Sequence, residues 1–403
     1  MEERVKFIHQ WQVDEEENFA DLCRVYGISR KTGYKWLGRY ESGGIEALAD
    51  ESRAPHRQAN AVNIRVERAI LECRGEHPRW GPAKLRAWLQ RRHRKTAWPA
   101  VSTIGEILRR AGVTAPRKKH CRVPRSTDKL VTASGPNDVW CADYKGYFHC
   151  LDGSRCDPLT ISDQFSRFLL RCQVVDSLEE KHARMVFEAA FREYGLPRVL
   201  RTDNGSPFAS VGLAGLSKLA VWWIRLGIRP ERIAPGKPQQ NGAHERMHRT
   251  LLEETAQPPQ ANLRSQQKVF DRFRQQYDYE RPHQALDLRT PSQAYECSER
   301  SYPNRLPEVE YGSDRLVRTV GSCGRMRWCG ERIFITKALA NQPIGMEGVD
   351  DGLWRLWYSF HPLGWLNERT MEVEELNAHK LAAATADEAE EQERNCCRPE
   401  LFP

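Results

Sequence analysis

Asp143, Asp203 and Glu245 each stand where a regular element begins or ends, which leaves a carboxylate at an edge rather than in a core. Asp143 closes an alternating run in which Val139, Cys141 and Asp143 share one face and Trp140, Ala142 and Tyr144 the other, the period of a strand. Asp203 follows the short run Arg198-Val199-Leu200-Arg201-Thr202 and opens the turn Asp203-Asn204-Gly205, so it too caps a strand. Glu245 comes just after Asn241, a candidate N-cap, and recurs with His248, Arg249 and Leu252 at helical spacing, which predicts a first-turn position. Carboxylates suit hard divalent cations: Mg²⁺ or Mn²⁺ takes one or two of them, keeps several waters and uses the substrate's own phosphate oxygens. Three acids can therefore serve two ions roughly 3.5–4 Å apart that activate the attacking oxygen of a phosphodiester reaction and stabilise the leaving one. Histidine or cysteine at these places would select softer metals. Glu231, Glu253 and Glu254 are rivals for the third position, but only Glu245 stands at an Asn-Gly helix start.

Between the aspartates, Pro158–Ser162 and Arg167–Val174 read as a strand pair. A helix follows from near Ser177, with Glu180 completing a capping box and Gly195 and Pro197 ending it. A catalytic core thus runs from about Asn137 to Cys297. Asp152, Asp157 and Asp163 sit in turn-like settings and read as structural. His244 and His248 flank Glu245 and read as surface or packing residues, whereas Arg246 and Arg249 read as contacts to DNA phosphate. Lys145 shares the face of Asp143 and would touch phosphate or neutralise the acids.

Ahead of the core, Phe19–Tyr26, the turn at Gly27 and a Ser29-capped helix with Trp36, Leu37 and Tyr40 inward form a helix-turn-helix candidate. Its second helix would turn Arg30, Lys31, Thr32 and Lys35 toward a major groove, with Gly33 weakening it locally. A second helical pair is expected over residues 64–112, around Trp80–Leu89 and Ser102–Arg110. From Asn60 to Ser126 there are 17 Lys/Arg against 4 Asp/Glu, an excess larger than the whole chain's +8, and it suits a polyanion. The Pro- and Lys-rich stretch from Thr114 to Pro136, with Arg117, Lys118 and Lys119, reads as a basic linker. After Pro303 the pattern turns β-like, with aromatics alternating with arginine, and suggests a small barrel. An acidic Ala/Glu-rich tail ends the chain.

Four ordered motifs resemble the DDE transposases of bacterial insertion sequences, whose core is similar to that of retroviral integrases. They are Trp140-x-x-Asp143-x-Lys145-Gly146, Thr202-Asp203-Asn204-Gly205-x-x-Phe208, Pro238-x-x-Asn241-Gly242-x-x-Glu245-Arg246-x-x-x-Thr250-Leu251, and Tyr279-Glu280-Arg281-Pro282-His283-Gln284-Ala285-Leu286 followed by Thr290-Pro291. The resemblance implies an α/β ribonuclease-H-like core, a mixed five-stranded sheet with helices in which the strands bearing the two aspartates lie side by side. All-α helix-turn-helix domains would precede it and a small β-barrel-like domain follow. It also implies an enzyme that binds the terminal inverted repeats of its element, cleaves and joins DNA with two Mg²⁺ or Mn²⁺ ions on Asp143, Asp203 and Glu245, and works as a homodimer or larger assembly on DNA. One departure is the interval of 42 positions from Asp203 to Glu245, longer than is common in integrases, with the extra length assigned to Val211–Trp223.

The expected boundaries are 1–58 and 59–113 for two helical DNA-binding domains, 114–136 for the linker, 137–297 for the core, 303–372 for the β-rich domain and 373–403 for the tail. No run of 18 apolar residues and no secretory leader is seen, and the 12 scattered cysteines show no zinc spacing. These features suggest a cytoplasmic, nucleoid-associated protein with free thiols and no membrane partner. A DNA-binding regulator without catalysis and a nuclease without strand transfer are the competing readings.

Overall fold

The computed structural model describes residues 2–13, 18–50, 62–114, 130–175, 177–210, 212–234 and 237–376. Arg117, Lys118 and Lys119, Val211 and the acidic tail from 377 onward lie outside the described residues. The chain divides into two compact units, Met1–Val66 and Glu67–Pro403.

The first unit holds helices α1 (Glu2–Val13), α2 (Phe19–Val25) and α3 (Arg30–Gly43). Phe7, Phe19, Leu22, Cys23 and Leu48 form its core, with Trp36, Leu37 and Tyr40 packed against it. Gly27 takes a φ of 63° in the turn, and the Ser29 hydroxyl accepts from the Thr32 amide as a helix cap. Gly33 belongs to the packing rather than being a weak point: a Cβ there would meet Cys23 Sγ at 2.8 Å and Phe19 Cζ at 3.0 Å. The missing side chain lets α3 approach α2 and α1 closely.

After α4 (Ile64–Glu76), which begins in the first unit, come α5 (Pro82–Arg92), opened by a proline at its first turn, and α6 (Val101–Arg110). The expected pair over 64–112 is therefore three helices. Ile70, Leu85, Leu89, Ile104 and Ile107 are buried among them, and His77 stacks on Trp80 at 3.7 Å. This bundle contacts the core that follows, through Arg79 to Glu253, Arg91 to the Glu280 carbonyl at 3.0 Å and His77 to Gln276 at 3.1 Å.

The core sheet is built from β1 (Val139–Tyr144), β2 (Phe148–His149), β3 (Arg155–Asp163) and β4 (Leu169–Val175), then, after α7 (Glu180–Tyr194), β5 (Val199–Thr202), and after α8 (Lys218–Arg225), β6 (Arg229–Arg232). Across the sheet the order is β4, β3, β1, β5, β6, with the short β2 also on β3. β3 is antiparallel to both β1 and β4, whereas β1, β5 and β6 run parallel. This is the expected mixed five-stranded sheet with β2 as an addition. One face, with Trp140, Leu159, Ile161 and Leu200, buries Phe187, Phe191 and Trp223 of α7 and α8. Each such side chain contributes about 1.5–3 kcal/mol of transfer free energy. Trp222 and Trp223, assigned from sequence to an added surface segment, are thus core residues of α8. The other face receives α9 (Gly242–Thr255) and α10 (Leu263–Gln275) through Met247, Leu251, Phe270 and Phe273.

Two local expectations change. α7 starts at Glu180 with Glu179 at its N-cap position and no side-chain cap bond among the described residues, because Ser177 stands two residues too early for a capping box and its hydroxyl accepts from the Glu179 amide. Asn241 occupies the N-cap position of α9 without a side-chain cap bond; the helix is entered from a 3-10 turn, Pro238–Asn241, and the buried Asn241 Oδ1 has no hydrogen-bond partner among the described residues.

The C-terminal strands are β7 (Leu316–Thr319), β8 (Arg325–Trp328), β9 (Glu331–Phe334), β10 (Pro343–Asp350), β11 (Leu353–Tyr358), β12 (His361–Asn367) and β13 (Glu372–Glu374). They form an antiparallel sheet ordered β13, β12, β11, β10, β7 and a separate hairpin β8–β9, turned at Cys329 and Gly330 with φ of 45° and 88°. The expected barrel is not closed by strand pairing. The hairpin lies beside β7 and β13, and its Met326, Trp328 and Ile333 are buried in the same core as the sheet.

Candidate active site

Parallel pairing of β1 with β5 sets Val139 beside Val199, Trp140 beside Leu200 and Cys141 beside Arg201. Continued by two residues, that register brings Asp143 alongside Asp203. Burial, then the Asp203 carboxylate, push the Asp143 carboxyl up to about 7; Glu245 adds to the rise, while Lys145 and the Tyr144 amide oppose it. Asp203 Oδ1 accepts from the Gly205 amide at 3.1 Å, and Asn204 Nδ2 donates to the Ile233 carbonyl at 2.7 Å, tying this turn to the end of β6. A Cβ on Gly205 would stand 2.9 Å from Asp203 Oδ2, so the turn that presents the carboxylate leaves no room for a side chain there.

Glu245 is exposed on the first turn of α9 and, among the described residues, makes no hydrogen bond or ion pair. Its rivals each have a structural partner: Glu231 binds Arg201, Glu253 binds Arg79 and Glu254 binds Arg281. Asp152, Asp157 and Asp163 likewise bind Ser154, Arg155 and Ser166. Among the described residues no three His, Cys, Asp or Glu side chains are gathered tightly enough to enclose a metal ion. The charges of Asp203 and, more weakly, of Glu245 both act on Asp143.

Beneath these acids lies a buried network that the sequence reading missed. Thr160 Oγ1 donates to the Asp143 carbonyl at 3.1 Å and meets His244 Nε2 at 2.8 Å and His248 Nε2 at 2.6 Å. Its one hydrogen is used on the carbonyl, so both Nε2 atoms carry the proton and donate to it. His244 Nδ1 then accepts from Ser162 Oγ at 2.7 Å, and His248 Nδ1 faces Asp143 Oδ2 at 3.7 Å. Burial holds both rings neutral, His244 at about 3 and His248 well below the usual histidine range. The signal was present: His244 and His248 share a helical face with Leu251 and Thr255, which places the histidines on the buried side of α9.

Arg246 and Arg249 are exposed on α9, and Lys145 is half-buried beside Asp143. Lys84 of α5, not foreseen, stands with Arg246 and Arg281; burial and then Arg281 bring it down to about 8, with Glu254 opposing and Arg246 adding. Arg30, Lys31 and Lys35 are exposed on α3 in the first unit, where the Thr32 hydroxyl is bonded to Ser29 at 2.9 Å.

Two models described as "Integrase core domain" match residues 133–238 and 226–291, a "Helix-turn-helix domain" matches 3–56 and a "Homeodomain-like domain" matches 32–108. A 31.7 kDa protein of insertion element IS407 from Burkholderia multivorans is 27% identical over 56% of this chain and 78% of its own length. A 39.2 kDa protein of insertion element IS476 from Xanthomonas euvesicatoria is 26% identical over 56% of this chain and 62% of its own. The HTLV-2 integrase catalytic core, solved in complex with magnesium, aligns over 41% of this chain and all of its own, at 15% identity and a TM-score of 0.33.

Proposed function

The chain belongs to the insertion-sequence transposases with an integrase-type core and helix-turn-helix domains, and on that premise we propose that it binds the terminal inverted repeats of its element and catalyses metal-dependent cleavage and transfer of DNA strands. The observation that carries the reading is the placement of Asp143 on β1 and of Asp203 just after the parallel strand β5, where the first acid is driven toward its neutral form by burial and then by the second. Hard oxygen donors whose charges repel at close range fit a divalent cation, which would relieve that repulsion. Asp143 and Asp203 would hold Mg²⁺ or Mn²⁺, with Glu245 joining them when DNA draws the exposed first turn of α9 inward. Bound there, a pair of such ions would supply Lewis-acid activation of the attacking oxygen and stabilise the leaving one.

This chain's own residues do the rest. Lys145, Arg246 and Arg249 neutralise and orient the phosphodiester beside the acids. Asp203 is held by its own turn and Asp143 by its strand, so neither has to be ordered when substrate arrives. Arg30, Lys31, Thr32 and Lys35 at the start of α3 read bases in the major groove, and Arg117, Lys118 and Lys119 follow the backbone. Paired element ends call for two or more copies on DNA.

The test incubates purified protein with labelled element ends, a target plasmid and Mg²⁺ or Mn²⁺. Cleaved and joined products are expected, and Asp143→Asn, Asp203→Asn and Glu245→Gln should each abolish both while leaving DNA binding. Binding with neither product in the wild type refutes catalysis, and cleavage without joining refutes strand transfer.

A further inference from the structure

Asp143 and Thr160 are direct partners across the antiparallel pair of β1 and β3, so their side chains leave the sheet on the same face. α9 covers that face with His244 and His248, one turn apart and both buried, their ring centroids 4.5 Å from each other. Glu245 follows His244 directly and is exposed. One hydroxyl therefore joins three elements: Thr160 on β3 holds the Asp143 carbonyl of β1 at 3.1 Å and the two imidazoles of α9 at 2.8 and 2.6 Å.

The two rings end differently. His244 closes on β3, where its Nδ1 accepts from Ser162, so both of its nitrogens are satisfied by the strand it packs against. His248 has only Nε2 placed in that way. Its Nδ1 stands 3.7 Å from Asp143 Oδ2, too far for a hydrogen bond but close enough for ring and carboxylate to touch. His248 is buried while Asp143 keeps 23% of its side chain exposed, so the ring lies on the inner side of the carboxylate and the outer side is left for what arrives from solvent.

A ring fixed at its far nitrogen cannot withdraw, whereas a carboxylate turns about two bonds. A wall on one side removes some of those orientations in advance, and freedom lost in advance is not lost again on binding. We propose that His248 is a positioning residue for Asp143: gripped by Thr160 at one nitrogen, it backs the carboxylate with the other and holds it in the orientation that takes a divalent cation. The groups that orient a ligating side chain commonly carry about ten- to a hundredfold in metal affinity. The role rests on the metal-dependent reading given above, and it differs from packing in that only one edge of the ring bears on the acid.

Two amides separate the edges, because the glutamine amide nitrogen reaches the place of Nε2 and the asparagine amide nitrogen the place of Nδ1. The test titrates Mn²⁺ into the full, EDTA-stripped chain, reads free Mn²⁺ by electron spin resonance, and records the melting temperature of each variant. His248→Gln keeps a donor for Thr160 and leaves nothing beside Asp143, so it should hold its melting temperature and bind Mn²⁺ about tenfold more weakly. His248→Asn should melt lower, having lost Thr160, yet bind Mn²⁺ within about twofold of wild type. Asp203→Asn marks the ion at the acids and should lose it. Wild-type affinity in His248→Gln, with the ion lost in Asp203→Asn, overturns the role of His248 and leaves the metal reading standing. Affinity that falls in both His248 variants in step with melting temperature reduces the ring to packing and overturns the role as well. A wild-type chain that binds Mn²⁺ no better than Asp203→Asn overturns the metal reading and the role of His248 together.

Discussion

Replacing Asp143 by Asn should stabilise the metal-free protein, by an amount that grows with pH. In the fold this carboxyl titrates at about 7 rather than at the ordinary 3.8, because of burial and then of Asp203. A raised acid means that the folded chain binds more protons than the unfolded one between those values, so wild-type stability falls as pH rises through that window. At about 1.4 kcal/mol per pKa unit, the shift costs the fold about 4 kcal/mol at pH 8, where the carboxyl is held ionised, and about 2 kcal/mol at pH 5, where it must take up a proton on folding. The side chain keeps 23% of its surface exposed, so solvent screening reduces these to about half. Asp143→Asn should then gain about 2 kcal/mol at pH 8 and about 1 kcal/mol at pH 5, read from urea unfolding in EDTA. His244 and His248 have lowered values and destabilise the fold as pH drops below about 6.5, but they do so in both proteins and cancel in the difference. Saturating Mg²⁺ should close the gap from the wild-type side, since a ligand that binds only the folded acid pair adds stability by mass action. A variant no more stable than wild type at pH 8, or one whose gain is the same at both pH values, would refute the repulsion and with it the argument for a cation there.

Two further outcomes follow from the packing. On α3, Gly38→Ala should stabilise the first unit by up to about 1 kcal/mol, as helix propensity demands where nothing stands within 4 Å. Gly33→Ala on the same helix should destabilise it by about 1–3 kcal/mol because its Cβ would meet Cys23 Sγ at 2.8 Å, a difference in sign that thermal unfolding resolves. Thr160→Val removes the shared acceptor of two buried imidazole N–H groups and should lower stability by about 2–4 kcal/mol, whereas Thr160→Ser should cost under about 1 kcal/mol; equal losses in urea titrations would dismiss the hydroxyl as the node.

What could be read from the chain was what one element carries within itself. Alternation from Val139 to Tyr144 specified β1 and its two faces, and Gly27 with Ser29 specified the turn and cap before α3. That β1 and β5 adjoin came from the four-motif resemblance, because periodicity says which face is buried and never which strand lies next to it. Most of the failures share one physical cause, which is that their partners lie on other elements. Gly33 reads as a defect until Cys23 and Phe19 of α2 are seen against it; Ser177 is the exception, its hydroxyl taken by the Glu179 amide two residues on. His244 and His248 carry polar tips that suggest solvent, yet Thr160 and Ser162, which satisfy them, sit more than 80 residues earlier on β3. The same holds for charge. Glu231, Glu253 and Glu254 equal Glu245 by residue type; the Asn-Gly helix start already singled out Glu245, and the positions of Arg201, Arg79 and Arg281 now give each rival a partner of its own. Among the described residues Glu245 has neither a hydrogen bond nor an ion pair, while these three acids each have one, so its carboxylate is open to a group that arrives later, and that contrast exists only in three dimensions.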